Sequence, residues 1–121
     1  MEVKTFNKLK GQSGETIAVD YLRKNGFEIL DRNFTTKHGE IDIIAKRNGR
    51  IHFIEVKART NDGFGGGRAA VNAAKRKTIR SVATYYLVKN NLWERIGAQF
   101  DVIEITGANG NFHIEYLPNC F

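Results

Sequence analysis

The sequence predicts an α/β protein in which a mixed central β-sheet is flanked by helices. Two segments carry apolar residues at helical spacing, and five short runs are rich in β-branched and aromatic residues. Two of these runs are separated by Asn48-Gly49, and Asn-Gly is a strong signal for a two-residue hairpin turn. The resulting order α-β-β-β-α-β-β is typical of a mixed sheet with helices packed on it.

The first helix is predicted over residues 13–24, because Ile17, Ala18, Tyr21 and Leu22 recur at helical spacing. Asn25-Gly26 suits a left-handed cap at its end. Three strands follow, predicted at 27–30, 40–45 and 50–58.

The second helix is predicted over 72–89, with Asn72 as its N-terminal cap. Its apolar stripe is formed by Ile79, Val82, Ala83, Tyr86 and Leu87. A fourth and a fifth strand, predicted at 99–105 and 112–117, are expected to pair as a hairpin. Four glycines between residues 60 and 67 mark a conspicuous loop before the second helix.

Length and composition fit one globular domain over residues 1–121, with a flexible basic tail expected at 1–10. The single cysteine, Cys120, excludes a disulfide within the chain. No apolar run reaches the roughly 18 residues that a membrane span needs, so we expect a cytoplasmic protein without a membrane partner. Nineteen Lys and Arg against 13 Asp and Glu give a net charge of +6, which suggests a polyanionic partner.

The Asn48-Gly49 turn fixes the register of the hairpin. Cross-strand partners should have numbers that sum to 48 + 49 = 97, so Asp42 is predicted to face Glu55 and Glu40 to face Lys57. One face of the hairpin should then carry Glu40, Asp42, Ile44, Phe53, Glu55 and Lys57. The other face, which should meet the main core, should carry Ile41, Ile43, Ile54 and Val56.

Two opposed carboxylates on a rigid hairpin indicate either a cation site or a solvated charged face. At about 5 Å they repel by roughly 3 kcal/mol at an effective dielectric of about 20. Lys57 offsets part of this, and a hard divalent cation such as Mg²⁺ would offset more. Metal-assisted displacement at phosphorus needs such acids and a nearby cation. The residues alone leave both interpretations open, since a slip of one residue would invert the faces.

Three further polar residues have an open role in the sequence. Glu15 lies at the edge of the first helix's apolar face, where it is either a site residue or a favourable charge near a helix N-terminus. His38 is a loop residue next to the predicted acids. Asp101 is either close to the site or a charge that protects a strand edge.

Four stretches of the chain together resemble a known family. They are Gly14-Glu15 with Ala18 and Tyr21-Leu22, the run from Gly39 to Ala45, the run from Ile54 to Arg59, and Phe100-Asp101-Val102-Ile103. In combination they resemble the YraN-like family of small bacterial endonuclease-like proteins. More distantly the chain is similar to archaeal Holliday-junction resolvases and the PD-(D/E)xK nuclease superfamily.

The resemblance implies a restriction-endonuclease-like αβββαβ core and a catalytic role for Glu15, Asp42, Glu55 and Lys57. Asp42 and Glu55 would be ligands of Mg²⁺ or Mn²⁺, and Glu15 would act on the metal directly or through water. Lys57 would orient the attacking water or stabilise developing charge. Ile41 stands where the superfamily often has a proline, which removes no acid. By analogy with dimeric resolvases, a homodimer is expected.

A cluster of basic residues near the second helix suggests nucleic-acid binding. It comprises Arg59, Arg68, Lys75, Arg76, Lys77 and Arg80. Phosphate backbones attract such clusters irrespective of base sequence, although a solvated basic helix face has the same composition. Among these residues Lys75 is the best single candidate for a phosphate contact.

Two functions of different classes follow from these observations. The first is a metal-dependent endonuclease that hydrolyses DNA phosphodiester bonds at branched or junction structures, leaving 5′-phosphates as the superfamily resemblance implies. The alternative is a non-catalytic nucleic-acid-binding module with a nuclease-like fold. A purely structural partner protein would account for the charge but not for the opposed acids.

Overall fold

In the computed structural model the protein is described over residues 3–59, 72–108 and 111–121, with side chains over 14–58, 72–107 and 112–121. These residues form two helices and five strands. The helices are α1 (Val3–Lys24) and α2 (Ala73–Lys89). The strands are β1 (Glu28–Thr36), β2 (Gly39–Arg47), β3 (Arg50–Arg59), β4 (Gly97–Ala108) and β5 (Asn111–Leu117).

All five strands lie in one mixed sheet in the order β1-β2-β3-β4-β5. Neighbouring strands are antiparallel except β3 and β4, which are parallel. The chain between β3 and β4 contains α2, as a parallel connection requires a crossover. The predicted α/β class and the hairpin between the last two strands are confirmed, and the architecture is consistent with a restriction-endonuclease-like core.

Several elements extend beyond their predicted bounds. Helix α1 begins at Val3, so the backbone of residues 3–10, where a flexible tail was expected, is helical. Strand β1 runs to Thr36 and not only to residue 30. The cap of α2 is as predicted, since the Asn72 side chain accepts a hydrogen bond from the Lys75 backbone N–H at 2.8 Å.

The register predicted for the β2–β3 hairpin is confirmed over the length of its ladder. The pairs run from Arg47↔Arg50 to Ile43↔Ile54, and each sums to 97. Asn48 and Gly49 have φ values of 54° and 74°, the positive angles that a tight two-residue turn of this kind requires.

Apolar clusters cover both faces of the sheet, whereas the sequence predicted one main core. Against α2 lie Ile41, Ile44, Ile51, Phe53 and Val102 together with the helix's own apolar stripe. Against α1 lie Phe27, Ile43, Ala45, Ile54, Ile103 and Ile105 with Ala18, Val19 and Leu22. The placement of Ile41 beside Ile43 was therefore wrong, because Ile41 packs on the α2 side with Ile44.

Asp101 organises a buried polar cluster on the α1 side of the sheet. Its carboxylate is fully buried and accepts hydrogen bonds from the Tyr116 hydroxyl at 2.6 Å, the Gln99 amide at 2.9 Å and the Asn119 backbone N–H at 2.9 Å. The same carboxylate lies 2.7 Å from His52 Nδ1. Burial and the bond to Asp101 raise the pKa of Tyr116, which keeps the phenol a donor. Asp101 is thus structural and not a strand-edge charge.

Neither described helix combines the length and the apolar character that crossing a lipid bilayer requires.

We predict that Asp101→Asn lowers the free energy of unfolding by about 2–4 kcal/mol, because an amide would point donor hydrogens at groups that already donate. Urea unfolding monitored by circular dichroism measures this loss. Asp20→Asn is the matched control, since Asp20 makes an exposed ion pair with Lys24 and should change stability by less than about 0.5 kcal/mol. Equal effects of the two variants would contradict the role of the cluster.

Candidate metal and nucleic-acid site

The candidate site begins where β2 and β3 part. Their ladder ends at Ile43↔Ile54, so the predicted pairs Asp42–Glu55 and Glu40–Lys57 lie beyond its last backbone pair. There the Val56 backbone N–H donates a hydrogen bond to Asp42 Oδ2 at 2.8 Å. The carboxylate thus takes over an acceptor position that the β2 backbone no longer provides, and it ties Asp42 to the residue after Glu55.

The alternation of side chains along β2 is interrupted beside Asp42. The pairs Arg32↔Ile43 and Phe34↔Ile41 flank Asn33 and Asp42, and Asn33 has a φ of 53°. Asparagine tolerates this left-handed conformation better than most residues. The side chains on either side of Asp42, Ile41 and Ile43, pack on opposite faces of the sheet, so the alternation breaks at Asp42. The hydrogen bond from Val56 shows that the Asp42 carboxylate is directed towards β3.

Glu55 lies on the α2 side of β3 and is paired with a lysine from that helix. The residue is 7% exposed, and its Oε2 lies 3.1 Å from Lys75 Nζ. Lys75 stands in the first turn of α2, where the Asn72 cap fixes the backbone. The hydrogen bond to Glu55 is the main reason that the pKa of Lys75 is raised, so the lysine stays charged.

A close approach between α2 and the β1–β2 turn positions this helix. Gly39 has a φ of 153°, and a Cβ added there would clash with Thr78 Cγ2. Only glycine tolerates both that backbone conformation and that close approach. The first turns of α2, which carry Lys75, therefore lie directly against the beginning of β2.

The electrostatics of Asp42 are those of a partly buried acid among other acids. Its pKa is raised from 3.8 to about 7, mainly by burial and then by the negative charge of Glu55. The hydrogen bond from Val56 opposes this shift, and the charges of Glu15 and Glu40 add to it. The surroundings therefore favour an added positive charge.

Asp42 and Glu55 are the residues best placed to hold a divalent cation. Mg²⁺ usually binds through one or two carboxylates and keeps its remaining ligands as water or substrate phosphate, so an incomplete protein shell fits that ion. In the described part of the chain no three His, Cys, Asp or Glu side chains are grouped closely enough to hold a metal together. Glu15 as a third ligand thus stays a prediction.

Glu15 and Lys57 approach the site from two directions. Glu15 follows Gly14, where an added Cβ would lie 3.0 Å from Ala58 Cβ, so α1 packs closely on the end of β3. The negative charge of Glu15 is felt at Asp42. Lys57 is two residues beyond Glu55 and, by the alternation of β3, lies on the same side of the strand; it is partly exposed.

The basic residues of α2 form an exposed surface next to the site. Arg76, Lys77 and Arg80 are exposed, and the Arg80 guanidinium lies 4.8 Å from the centre of the Phe100 ring. A shallow depression on this surface is lined by Ala73, Arg76, Lys77, Arg80, Ser81 and Thr84. Arg68, the glycine-rich loop and the side chain of Arg59 lie outside the described residues. His38 is exposed in the β1–β2 turn.

Two features of the molecule were missed by the sequence reasoning. The Lys75–Glu55 pair joins residues from separate elements, and no local pattern indicates it. The sequence does contain an indication that Asp101 is buried. Asp101 precedes Ile103 and Ile105 at strand spacing, and an acid at an inward position of such a strand needs partners.

Comparison with known proteins identifies the family of the chain. The model of the "Uncharacterised protein family UPF0102" matches residues 14–105. The chain belongs to this family. A UPF0102 protein of Clostridioides difficile (strain 630) is 50% identical over 99 residues, covering 82% of this chain and 86% of its own length. A UPF0102 protein of Alkaliphilus oremlandii (strain OhILAs) is 44% identical over 117 residues, covering 96% and 100%.

A third relative comes from another bacterium of the comparison. The UPF0102 protein of Geobacter metallireducens (strain ATCC 53774 / DSM 7210 / GS-15) is 41% identical over 115 residues, which cover 95% of this chain and 93% of that protein. The part of the chain that the family model matches includes Glu15, Asp42, Glu55, Lys57 and Lys75. The family description assigns no activity.

We predict that Gly39→Ala lowers the free energy of unfolding by about 1–3 kcal/mol, because the new methyl group meets Thr78 and the backbone must adopt an unfavourable φ. Chemical denaturation measures the loss. Gly49→Ala is the control for conformation alone, since Gly49 also has a positive φ but nothing lies within 4 Å of its added Cβ.

The double variant Gly39→Ala with Thr78→Ser separates the two causes. Serine lacks the Cγ2 methyl group, so the steric part of the loss should be recovered while the conformational part remains. No recovery in the double variant would contradict the close approach as the constraint on α2.

Proposed function

We propose that this protein is a metal-dependent endonuclease that hydrolyses DNA phosphodiester bonds, with branched or junction DNA as its substrate class. The observation that carries the proposal is the pair of acids, Asp42 and Glu55, at the end of the β2–β3 ladder. They are partly or fully withdrawn from water and are surrounded by further negative charge. Such an arrangement lowers the stability of the fold, because the two negative charges repel each other and are poorly hydrated. A divalent cation held by both acids would offset this cost.

Four side chains would have separate roles in the proposed hydrolysis. Asp42 and Glu55 would hold Mg²⁺ or Mn²⁺, which when bound supplies positive charge at the reacting phosphate. Lys57, on the same side of β3 as Glu55, would orient the attacking water or offset the charge that develops on the phosphate. Glu15 would add negative charge behind Asp42 and so strengthen the hold on the cation.

The exposed basic face of α2 would bind the DNA backbone. Arg76, Lys77 and Arg80 lie on the helix that also carries Lys75 into the site. Contacts of this type neutralise phosphates irrespective of sequence and weaken as salt rises. A homodimer belongs to the proposal, because a symmetric junction presents two strands for cleavage and a two-fold protein would offer two sites.

A second candidate function is nucleic-acid binding without turnover. The observation that favours it is that Lys75 already neutralises Glu55, so the pair is satisfied in the absence of a metal. In that case the acids would position α2, and only the basic face would act. The two functions share their DNA affinity and differ in cleavage.

We predict that the purified protein cleaves branched, flap or linear DNA in the presence of Mg²⁺ or Mn²⁺ and leaves 5′-phosphates. Asp42→Asn and Lys57→Ala should each reduce the rate by about 100-fold or more, because each removes charge that acts at the reacting phosphate. Gel analysis of end-labelled substrates measures the rates.

Asp20→Asn is the control for these variants, since Asp20 is an exposed acid on α1 and should leave the cleavage rate unchanged. DNA binding without cleavage on every substrate and with either metal would favour the binding module. Cleavage that persists in Asp42→Asn would contradict the assigned site.

We predict that Lys77→Gln weakens DNA binding and reduces the slope of log affinity against log salt by about 1, as expected for the loss of one phosphate contact. Fluorescence anisotropy with a labelled duplex at several salt concentrations measures both quantities. Lys24→Gln, at the end of α1, removes the same charge away from α2 and should leave the slope unchanged. An equal effect of both variants would indicate general electrostatic attraction and not a binding face.

A further inference from the structure

The position of Lys75 raises a question about how a metal enters the site. Its ammonium lies 3.1 Å from Glu55 Oε2, which is one of the two carboxylates proposed to bind the cation. The Glu55 side chain is only 9% exposed, whereas the Lys75 side chain is 47% exposed. One partner of the pair is therefore fixed in the protein, and the other can move into solvent.

We propose that Lys75 is a resident cation that neutralises Glu55 when no divalent ion is bound and is displaced from Glu55 when the ion binds. The inference rests on the proposed function, because it concerns the same site. It deepens that function by adding a positioning residue that links metal occupancy to substrate binding.

Charge and space make the two states exclusive. Glu55 is nearly buried, and a nearly buried carboxylate without a counter-charge is strongly unfavourable, so some cation must remain beside it. A divalent ion bound by Glu55 would repel an ammonium at the same oxygen. Lysine has a flexible four-carbon chain, and its ammonium is well hydrated, so it can leave for solvent without moving the helix.

The displaced ammonium has a second use. Lys75 is in the first turn of α2, next to the exposed residues Arg76 and Lys77 of the proposed DNA face. Once released from Glu55 it can contact a phosphate close to the cation. Linkage then requires that the effect be reciprocal: the divalent ion strengthens the hold on a phosphate, and a phosphate that engages Lys75 strengthens the hold on the ion.

The test is a Mn²⁺ titration of the DNA-free protein, followed by electron paramagnetic resonance of the free ion at about 0.1 M salt, where charges more than about 10 Å apart are largely screened. Lys75→Met removes the competing ammonium, so this variant should bind Mn²⁺ about three- to tenfold more tightly than the wild type. Lys89→Met removes the same charge from the last turn of the same helix, outside the proposed DNA face, and should stay within about twofold of the wild type.

The outcomes separate this inference from the function on which it rests. Binding of Mn²⁺ with equal or weaker affinity in Lys75→Met than in the wild type overturns the displacement of Lys75 and leaves the metal site standing. An equal gain in Lys75→Met and Lys89→Met also overturns it, because general electrostatics would then suffice. Absence of Mn²⁺ binding in all three proteins overturns both proposals. Lys75→Gln also removes the ammonium, and the same gain in Mn²⁺ affinity is expected for it. Circular dichroism verifies that each protein is folded.

Discussion

The site depends on one hydrogen bond, from the Val56 backbone N–H to the carboxylate of Asp42. It lies where β2 and β3 stop pairing through their backbones, and it replaces a contact that the ladder would otherwise have made. Because of this bond the strands can part without leaving a donor unsatisfied. The same bond directs Asp42 towards the strand that carries Glu55. Without it the side chain of Asp42 would not be tied to β3.

The two helices contribute to the site because both faces of the sheet are covered. Helix α1 packs against β3 near Gly14 and brings the charge of Glu15 to the site from one side. Helix α2 lies against the other face, and its Lys75 reaches Glu55. The parallel pairing of β3 and β4 requires a crossover, and α2 lies in it, so the topology that builds the sheet also brings a basic helix next to the acids.

Much of this arrangement could be predicted from the sequence, because a tight turn is a local property. Asn48-Gly49 determined the register from Arg47↔Arg50 to Ile43↔Ile54, and the neighbourhood of Asp42 and Glu55 followed from it. The orientation of Ile41 could not be predicted, because the alternation of β2 breaks at Asp42, in the stretch paired with β1 where Asn33 has a left-handed conformation. That irregularity involves a second strand, and strand periodicity alone does not indicate it.

The other features that the sequence did not predict also result from contacts between segments that are distant in the chain. The sequence indicated that Asn72 caps a basic helix α2, but not that Lys75, three residues after the cap, would pair with Glu55. It left Asp101 undecided, because the partners of that acid come from β3, β5 and the C-terminal residues. In each case the sequence pattern predicts the helix or strand, whereas the partner residue depends on how elements distant in the chain pack together.

The most direct test of the account is the location of a bound paramagnetic ion. Substoichiometric Mn²⁺ added to ¹⁵N-labelled protein broadens backbone amide signals close to the ion. The account predicts that the signals of Asp42, Glu55 and Val56 are lost first, while those of Asp20 and Glu94, exposed acids away from the end of the β2–β3 ladder, persist. Broadening spread over exposed acids, or signals of Asp42 and Glu55 that persist while others are lost, would contradict a shared cation site.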